Sequence, residues 1–269
     1  DAGGPQGANG DWMHINAVDY NPLLDQIVIS SRTQDEIFIL DHSTTSEEAA
    51  AHVGGNSGKG GDFLYRWGNP VNYGRGDESD CILGDQHSIN WIPPGYPGEG
   101  NLILFNNFHE DNNSAVLEFT TPLEDWNYIL EDSKPYGPET WQWIYMGDIT
   151  TPMQGGAFRL ENGNTLITQC HTAKILEVDM DGNVVWEYQY ESGIGSTWIA
   201  RAQKYNPDYL MDITLGDLNG DGTLNILDIV VLANLILSGD DSNPAGDLDQ
   251  NGSYNILDIV ILVNLILSD

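Results

Sequence analysis

Two short acidic segments near the C-terminus place oxygen-bearing side chains at alternating positions. In the first, Asp217, Asn219, Asp221, Thr223, Asn225 and Asp228 occupy positions 1, 3, 5, 7, 9 and 12 of a loop. In the second, the same positions hold Asp247, Asp249, Asn251, Ser253, Asn255 and Asp258. Calcium takes roughly six to eight hard oxygens in a loose shell, and alternate side chains on a tight loop supply them. Gly222 and Gly252 stand at position 6, where the loop turns sharply and a positive φ favours glycine. Position 7 offers its backbone carbonyl, and position 12 is Asp where the EF-hand pattern has Glu. The spacing predicts two EF-hand-type loops and two structural Ca2+ ions. So much negative charge in a small module makes its folding metal-dependent.

A second set of residues is built on histidine. His14 and His87 each stand just before a strand-like run, with Asn16 and Asn90 following. Histidines at one place in two repeats point to a shared site; the alternative is that they bond neighbouring backbone. In a third repeat the place falls at Gln154-Gly155-Gly156 and holds no histidine. His171, after the second strand of that repeat, is the remaining candidate, with loop capping as its alternative. A neutral imidazole is a nucleophile when a hydrogen bond holds its other nitrogen.

The elements that position these residues are legible in the periodicity. Each acidic loop runs into the same NILDIV…NLILS segment, so residues 216–239 and 246–269 are a duplicated unit. Ile226, Leu227, Ile229, Val230, Leu232, Leu235 and Ile236 form a broad helical stripe, and two such helices pack about a pseudo-two-fold axis. Upstream, strand-like runs come in sets of four: 15–20, 26–31, 36–40 and 63–67; 88–92, 101–106, 115–120 and 140–145; 156–160, 165–169, 174–179 and 184–188. Each set closes on an aromatic strand (LYRWG, WQWIY, VVWEY), and turn signals such as Asn162-Gly163-Asn164 separate the strands. This predicts a mainly β chain with at least three four-stranded β-propeller blades, a β-sandwich being the rival. A fourth set begins at 196–204. Closed propellers need about 4–8 blades, so the array is N-terminally incomplete, open, or completed by another chain. The Gly/Ser-rich stretch 44–61 reads as a surface loop.

The duplicated unit resembles a type I dockerin. The resemblance implies a cohesin-like partner, contacted just after position 9 at Ile226 with Leu227 and at Ile256 with Leu257. These pairs are apolar, which leaves self-association or packing on the β region open. The phrases DWMHINAVDYNPLLDQIVISSR, DEIFILDH, GDQHSINWIPPGYPGEGNLILFNN and GGAFRLENGNTLITQCHTAKILEVDMDGNVVWEY are similar to the bacterial arylsulfate sulfotransferase family. That resemblance implies a six-bladed propeller. It also implies transfer of a sulfuryl group from a phenolic sulfate ester to a phenolic acceptor through a sulfated histidine, without a nucleotide donor. His14 and His87 align with histidines that contact the sulfate. Family members tend to carry an arginine after the motif here written FNNF, where this chain has His109-Glu110-Asp111, so Arg159 or a residue from further blades is the candidate replacement cation. The alternative is a non-catalytic propeller that assembles through its calcium-dependent module.

Charge narrows the partners. Nine Lys+Arg against 41 Asp+Glu give −32 over 269 residues, which repels nucleic acid and anionic membrane surfaces. No apolar run reaches the ~18 residues of a membrane span. Asp1 reads as a processed or truncated start. Cys81 and Cys170 are a candidate disulfide for a secreted, cell-surface or periplasmic protein. The expected division is a β region over 1–209 and a dockerin-like domain over 210–269.

Overall fold

Alternating and continuous apolar runs decide which strands lie at a surface and which lie between layers. The computed structural model describes residues 11–110, 113–191, 198–205, 214–239 and 243–268. The chain divides into two compact units, Asp1–Lys204 and Tyr205–Asp269.

The first unit holds three four-stranded antiparallel sheets, each a meander. In sheet one, β1 (Ile15–Asn21), β2 (Gln26–Ser31), β3 (Glu36–Asp41) and β4 (Phe63–Trp67) follow in order. Sheet two orders β5 (His87–Trp91), β6 (Leu102–Asn106), β7 (Ala115–Phe119) and β10 (Trp143–Tyr145); a two-stranded hairpin, β8 (Leu123–Glu124) and β9 (Asn127–Tyr128), branches off between the last two. Sheet three is β11 (Gly156–Arg159), β12 (Thr165–Gln169), β13 (Lys174–Val178) and β14 (Val184–Gln189). The hairpin turns of sheet three use Gly163 and Gly182, at φ +88° and +82°.

Sheet two is the middle layer, and its sequence shows why. β6 and β7 are buried at every residue, matching their unbroken apolar runs. One face meets Val28, Ile37, Ile39, Tyr65 and Trp67 of sheet one. The other meets Ala157, Ile167, Leu176 and Val178 of sheet three. Each end sheet therefore keeps an outer face. β14 is exposed throughout, with Trp186 and Tyr188 open to solvent, and Val18 and Tyr20 are exposed on β1.

The first strands of the sheets are tied by polar side chains. Asn16 donates to the Gln86 carbonyl over 2.7 Å, the Trp91 N–H donates to Asp19 over 2.9 Å, and Asn90 donates to the Ala157 carbonyl over 2.9 Å. These bonds tie β1 to β5 and β5 to β11.

Three expectations change here. Of the fourth strand set expected over 196–204, positions 196 and 197 lie outside the described residues, and described residues 198–204 carry no strand. They lie along sheet three, where the Gly155 N–H donates to the Ala200 carbonyl and the Ala202 N–H to Thr168. The 44–61 stretch contains a short helix, α1 (Ser46–Ala51), started by a capping box of Thr45 and Glu48. Cys81 and Cys170 are free: Cys81 is exposed beside Asn69, whereas Cys170 is buried with its thiol 3.0 Å from Gln154 Oε1, so the disulfide is absent.

In the second unit, α2 (Ile226–Ser238) and α3 (Ile256–Ser268) pack around Leu218, Leu232, Ala245 and Leu262. The broad stripe is split. Ile229, Leu232, Leu235 and Ile236 join this core, but Ile226, Leu227 and Val230 are exposed, as are Ile256, Leu257 and Val260 at the matching places.

Candidate functional site

Two of the three first strands break their regular pairing near their starts. β1 has a bulge between Ile15 and Ala17, and β5 one between His87 and Asn90. His14, Ser88 and Gln154 all hold left-handed backbone, at φ +46°, +60° and +57°. Bulges and positive φ at non-glycine residues re-aim side chains and cluster at sites where geometry is imposed by the surroundings. Here they surround a cavity of about 370 Å3 lined by His14, Asn16, His87, Ser88, Gln154, Gly155, Ala200 and Arg201.

His87 is buried and fully bonded. Its Nδ1 lies 2.8 Å from Asn107 Oδ1 and 2.9 Å from the Asp85 carbonyl. Both are acceptors, so Nδ1 carries the proton. Asn107 cannot present its amide the other way, because its Nδ2 donates to the Thr151 and Gln154 carbonyls at 2.8 Å each. Nε2 of His87 accepts the Gln154 N–H over 3.2 Å. Burial pushes the His87 pKa down, against the Asn107 and Asp85 hydrogen bonds that favour the charged ring.

His14 is half-buried and differently held. Its Nδ1 lies 2.6 Å from the Asp11 carboxylate. Asn16 Oδ1 and Ser88 Oγ are buried without a hydrogen-bond partner among the described residues, and both residues line the cavity. Arg201 supplies a cation, its guanidinium 5.7 Å from the Phe158 ring centroid. Opposite charge nearby comes from Asp19, whose pKa is raised by burial and drawn back in part by the Trp91 and Tyr20 N–H groups and by Arg201.

Of the sequence candidates, the structure brings together His14, His87 and Asn16. Asn90 is spent on the Ser88 and Ala157 carbonyls and does not line this cavity. His171 lies outside it, with its ring 4.6 Å from that of Trp198. Arg159 is not the expected replacement cation. Its side chain is buried, paired with Glu118, donates to the Gly163 carbonyl over 2.8 Å and lies 4.9 Å from the Trp143 ring. A buried guanidinium whose two terminal nitrogens are taken by a carboxylate and a carbonyl is structural. Sequence reading missed Arg201, Ser88, Asn107 and Asp11. Arg201 lies in the fourth strand-like run, and Asn107 lies in the FNNF motif.

In the second unit, the acidic loops fit a hard cation. Oxygen atoms of Asp247, Asp249 and Asp258 lie within 4.8 Å of one another. Asp228 and Asp258 are fully buried and accept backbone N–H groups of their own loops. Gly222 and Gly252 have φ +80°. Asp217, Asn219, Asp221, the Thr223 carbonyl and Asp228 would hold one ion. Asp247, Asp249, Asn251, the Ser253 carbonyl and Asp258 would hold the other. Asn225 and Asn255, expected as ligands at position 9, also cap the helices: each side-chain oxygen accepts the N–H two residues on, at 2.8 and 2.9 Å.

Fold and sites together define a mainly β protein with a polar, cation-bearing cavity and a paired-loop helical module. Residues 2–122 match the arylsulfotransferase (ASST) family model, and residues 215–267 match the type I dockerin domain model. The chain thus joins an arylsulfotransferase-family segment to a type I dockerin domain, of a kind that binds calcium and cohesin partners in extracellular proteins. Comparison with the curated proteins gives no match. Among solved structures, a protein of unknown function from Bacteroides caccae aligns at 12% identity and TM-score 0.36, over 66% of this chain and 46% of its own. Virginiamycin B lyase from Staphylococcus aureus aligns at 8% identity and TM-score 0.36, over 66% and 42%. The chain therefore spans less than half the length of either structure. Among the described residues no helix is long and apolar enough to cross a membrane.

Proposed function

We propose that the β region transfers a sulfuryl group from a phenolic sulfate ester to a phenolic acceptor through a sulfated histidine. The C-terminal domain, holding two Ca2+ ions, docks the protein on a cohesin-type partner outside the cell. In this reading residues 1–209 are a propeller region whose sheets are blades of a six-bladed ring, and 210–269 are the docking domain. The carrying observation is one cavity in which His14, His87 and Arg201 meet beside the unpartnered Ser88 hydroxyl. Sulfuryl transfer needs positioning and donors to the non-bridging oxygens. Arg201 and Ser88 are suited to that task, and Asn16 Oδ1 is an acceptor for a phenolic O–H.

The test uses the full chain with calcium, para-nitrophenyl sulfate as donor and phenol as acceptor. The expected products are para-nitrophenol and phenyl sulfate, with Arg201→Gln slowing turnover about 100-fold. A folded chain that forms no phenyl sulfate overturns the reading. A non-catalytic assembly role is the second reading, supported by the exposed Ile226, Leu227, Ile256 and Leu257. It predicts calcium-dependent association and no turnover.

A further inference from the structure

A second cleft lies farther along the same first strands and differs from the histidine cavity in its chemistry. It has a volume of about 340 Å3 and is lined by residues 19–23 of the first hairpin, by 90–94 around the end of β5, and by Phe158 of β11. We propose that this cleft binds a primary ammonium ion carried on an aromatic or aliphatic body, with the Asp19 carboxylate as its counter-ion. This binding does not depend on sulfuryl transfer.

The walls select the body. Pro22, Leu23, Trp91, Pro93, Pro94 and Phe158 give the cleft mostly carbon surface. A concave site of this kind, with a few convergent polar groups, suits a small molecule.

The polar lining selects the head group, because its donors are spent. Three wall residues are prolines, which have no backbone N–H. The N–H groups of Trp91, Ile92 and Gly100 donate to Asp19, the Asn101 carbonyl and the Ile92 carbonyl. The Tyr20 hydroxyl donates to Asp25 over 2.9 Å. Asn90 gives its amide N–H groups to the Ser88 and Ala157 carbonyls, at 2.8 and 2.9 Å, and Gln203 has a partner of its own. Arg159 borders the cleft, but Glu118 and the Gly163 carbonyl hold its terminal nitrogens and its Nε is buried. Acceptors remain. The Asn90 amide is held so that Oδ1 is its open atom. A carboxylate has about four acceptor sites; Asp19 uses them on the Trp91 and Tyr20 N–H groups, and Glu99 has one on the Gly95 N–H. An ammonium group has three donors and no acceptor, which complements this lining.

Charge agrees with it. Asp19 and Glu99 are the carboxylates of the cleft. Arg201 draws on Asp19 from a distance and makes no ion pair with it among the described residues. Burial raises the Asp19 pKa, and the Trp91 and Tyr20 N–H groups and Arg201 pull it back in part. A carboxylate that has lost water gains more from an adjacent cation than one in solvent.

The experiment titrates the full chain, with calcium at pH 7, with phenethylamine and with 2-phenylethanol, following binding by calorimetry and saturation-transfer NMR. The two probes share one body, and only the amine is charged. Phenethylamine should bind at least about tenfold more tightly. Asp19→Asn keeps an acceptor for the Trp91 N–H and should erase that preference while the β unit melts as in the wild type. Glu99→Gln should lower amine affinity about threefold, and Glu47→Gln, outside the cleft on α1, should leave it unchanged. Both glutamates are exposed, so these two variants decide the matter if Asp19→Asn fails to fold. Equal affinity for amine and alcohol, no binding of either below about 10 mM, or a loss from Glu47→Gln matching that from the cleft variants overturns the proposal. None of these outcomes bears on sulfuryl transfer, since phenethylamine carries no phenol.

Discussion

Gln154 donates its backbone N–H to Nε2 of His87 over 3.2 Å, and Asn107 holds the opposite ring nitrogen at 2.8 Å. The imidazole is a buried strut between β5 and the turn that starts β11. A buried donor or acceptor stripped of its partner costs about 1–3 kcal/mol.

His87→Phe should therefore destabilise the β unit by about 2–4 kcal/mol in urea unfolding, because it orphans Asn107 Oδ1 and the Gln154 N–H together. The wild-type ring also sets a pH dependence. Burial depresses the His87 pKa in the fold, so the unfolded chain binds the proton more readily. Its contribution to stability is full above the unfolded value of about 6.5 and is lost as pH falls below it. A wild-type minus His87→Phe difference that is flat with acidification would contradict this.

Arg159 and Glu118 form a buried ion pair. Arg159→Leu leaves the carboxylate buried without its counter-ion and should cost about 3–5 kcal/mol. Replacing both partners, Arg159→Leu with Glu118→Leu, should recover much of that loss. Thermal melts of the three proteins check it. A single variant as stable as wild type would return Arg159 to the list of candidate ligand-binding cations.

Burial, aided by the neighbouring Asp85 carboxylate and opposed by the Asp85 N–H, pushes the Asp35 carboxyl up to about 6. The folded state thus holds a proton that the unfolded state has released. This stabilisation is full below about pH 4 and is lost as pH rises through about 6. Asp35→Asn should remove that part of the slope, measured as urea midpoints from pH 4 to 7. Identical slopes in variant and wild type would show that Asp35 titrates normally.

Chelation of calcium should unfold the second unit and spare the first. Without a cation, Asp247, Asp249 and Asp258 repel one another across less than 4.8 Å. The expected outcome is loss of helical circular dichroism with the melting of the β unit unchanged. Helices that persist in excess chelator would contradict the metal assignment.

The local features were legible because local chemistry decides them. Four-strand sets follow from alternating apolar runs and Gly or Asn turns, and all three appear as sheets. Loop spacing, the glycines at position 6 and the duplicated helices are equally short-range. The helices illustrate the limit. α2 is apolar almost all round, so its periodicity could not say that Leu232 would be buried while Ile226 remained 70% exposed. Arg159 shows the same: an arginine in a strand reads as available until Glu118, 41 residues away in the chain, is found beside it.

The strand sets, the paired acidic loops with their helices, the net negative charge and the two matching histidines were determined by sequence alone, since each depends on composition or on neighbours close in the chain. Only the tertiary structure decided that His14 and His87 share a cavity with Arg201, and that their rings differ. Besides the Asp85 carbonyl two residues away, the partners of His87 lie 20 and 67 residues away, whereas His14 is held by Asp11, three residues upstream. Hydrogen bonds between distant segments exist only once the sheets have packed, and those bonds decide how each imidazole is held.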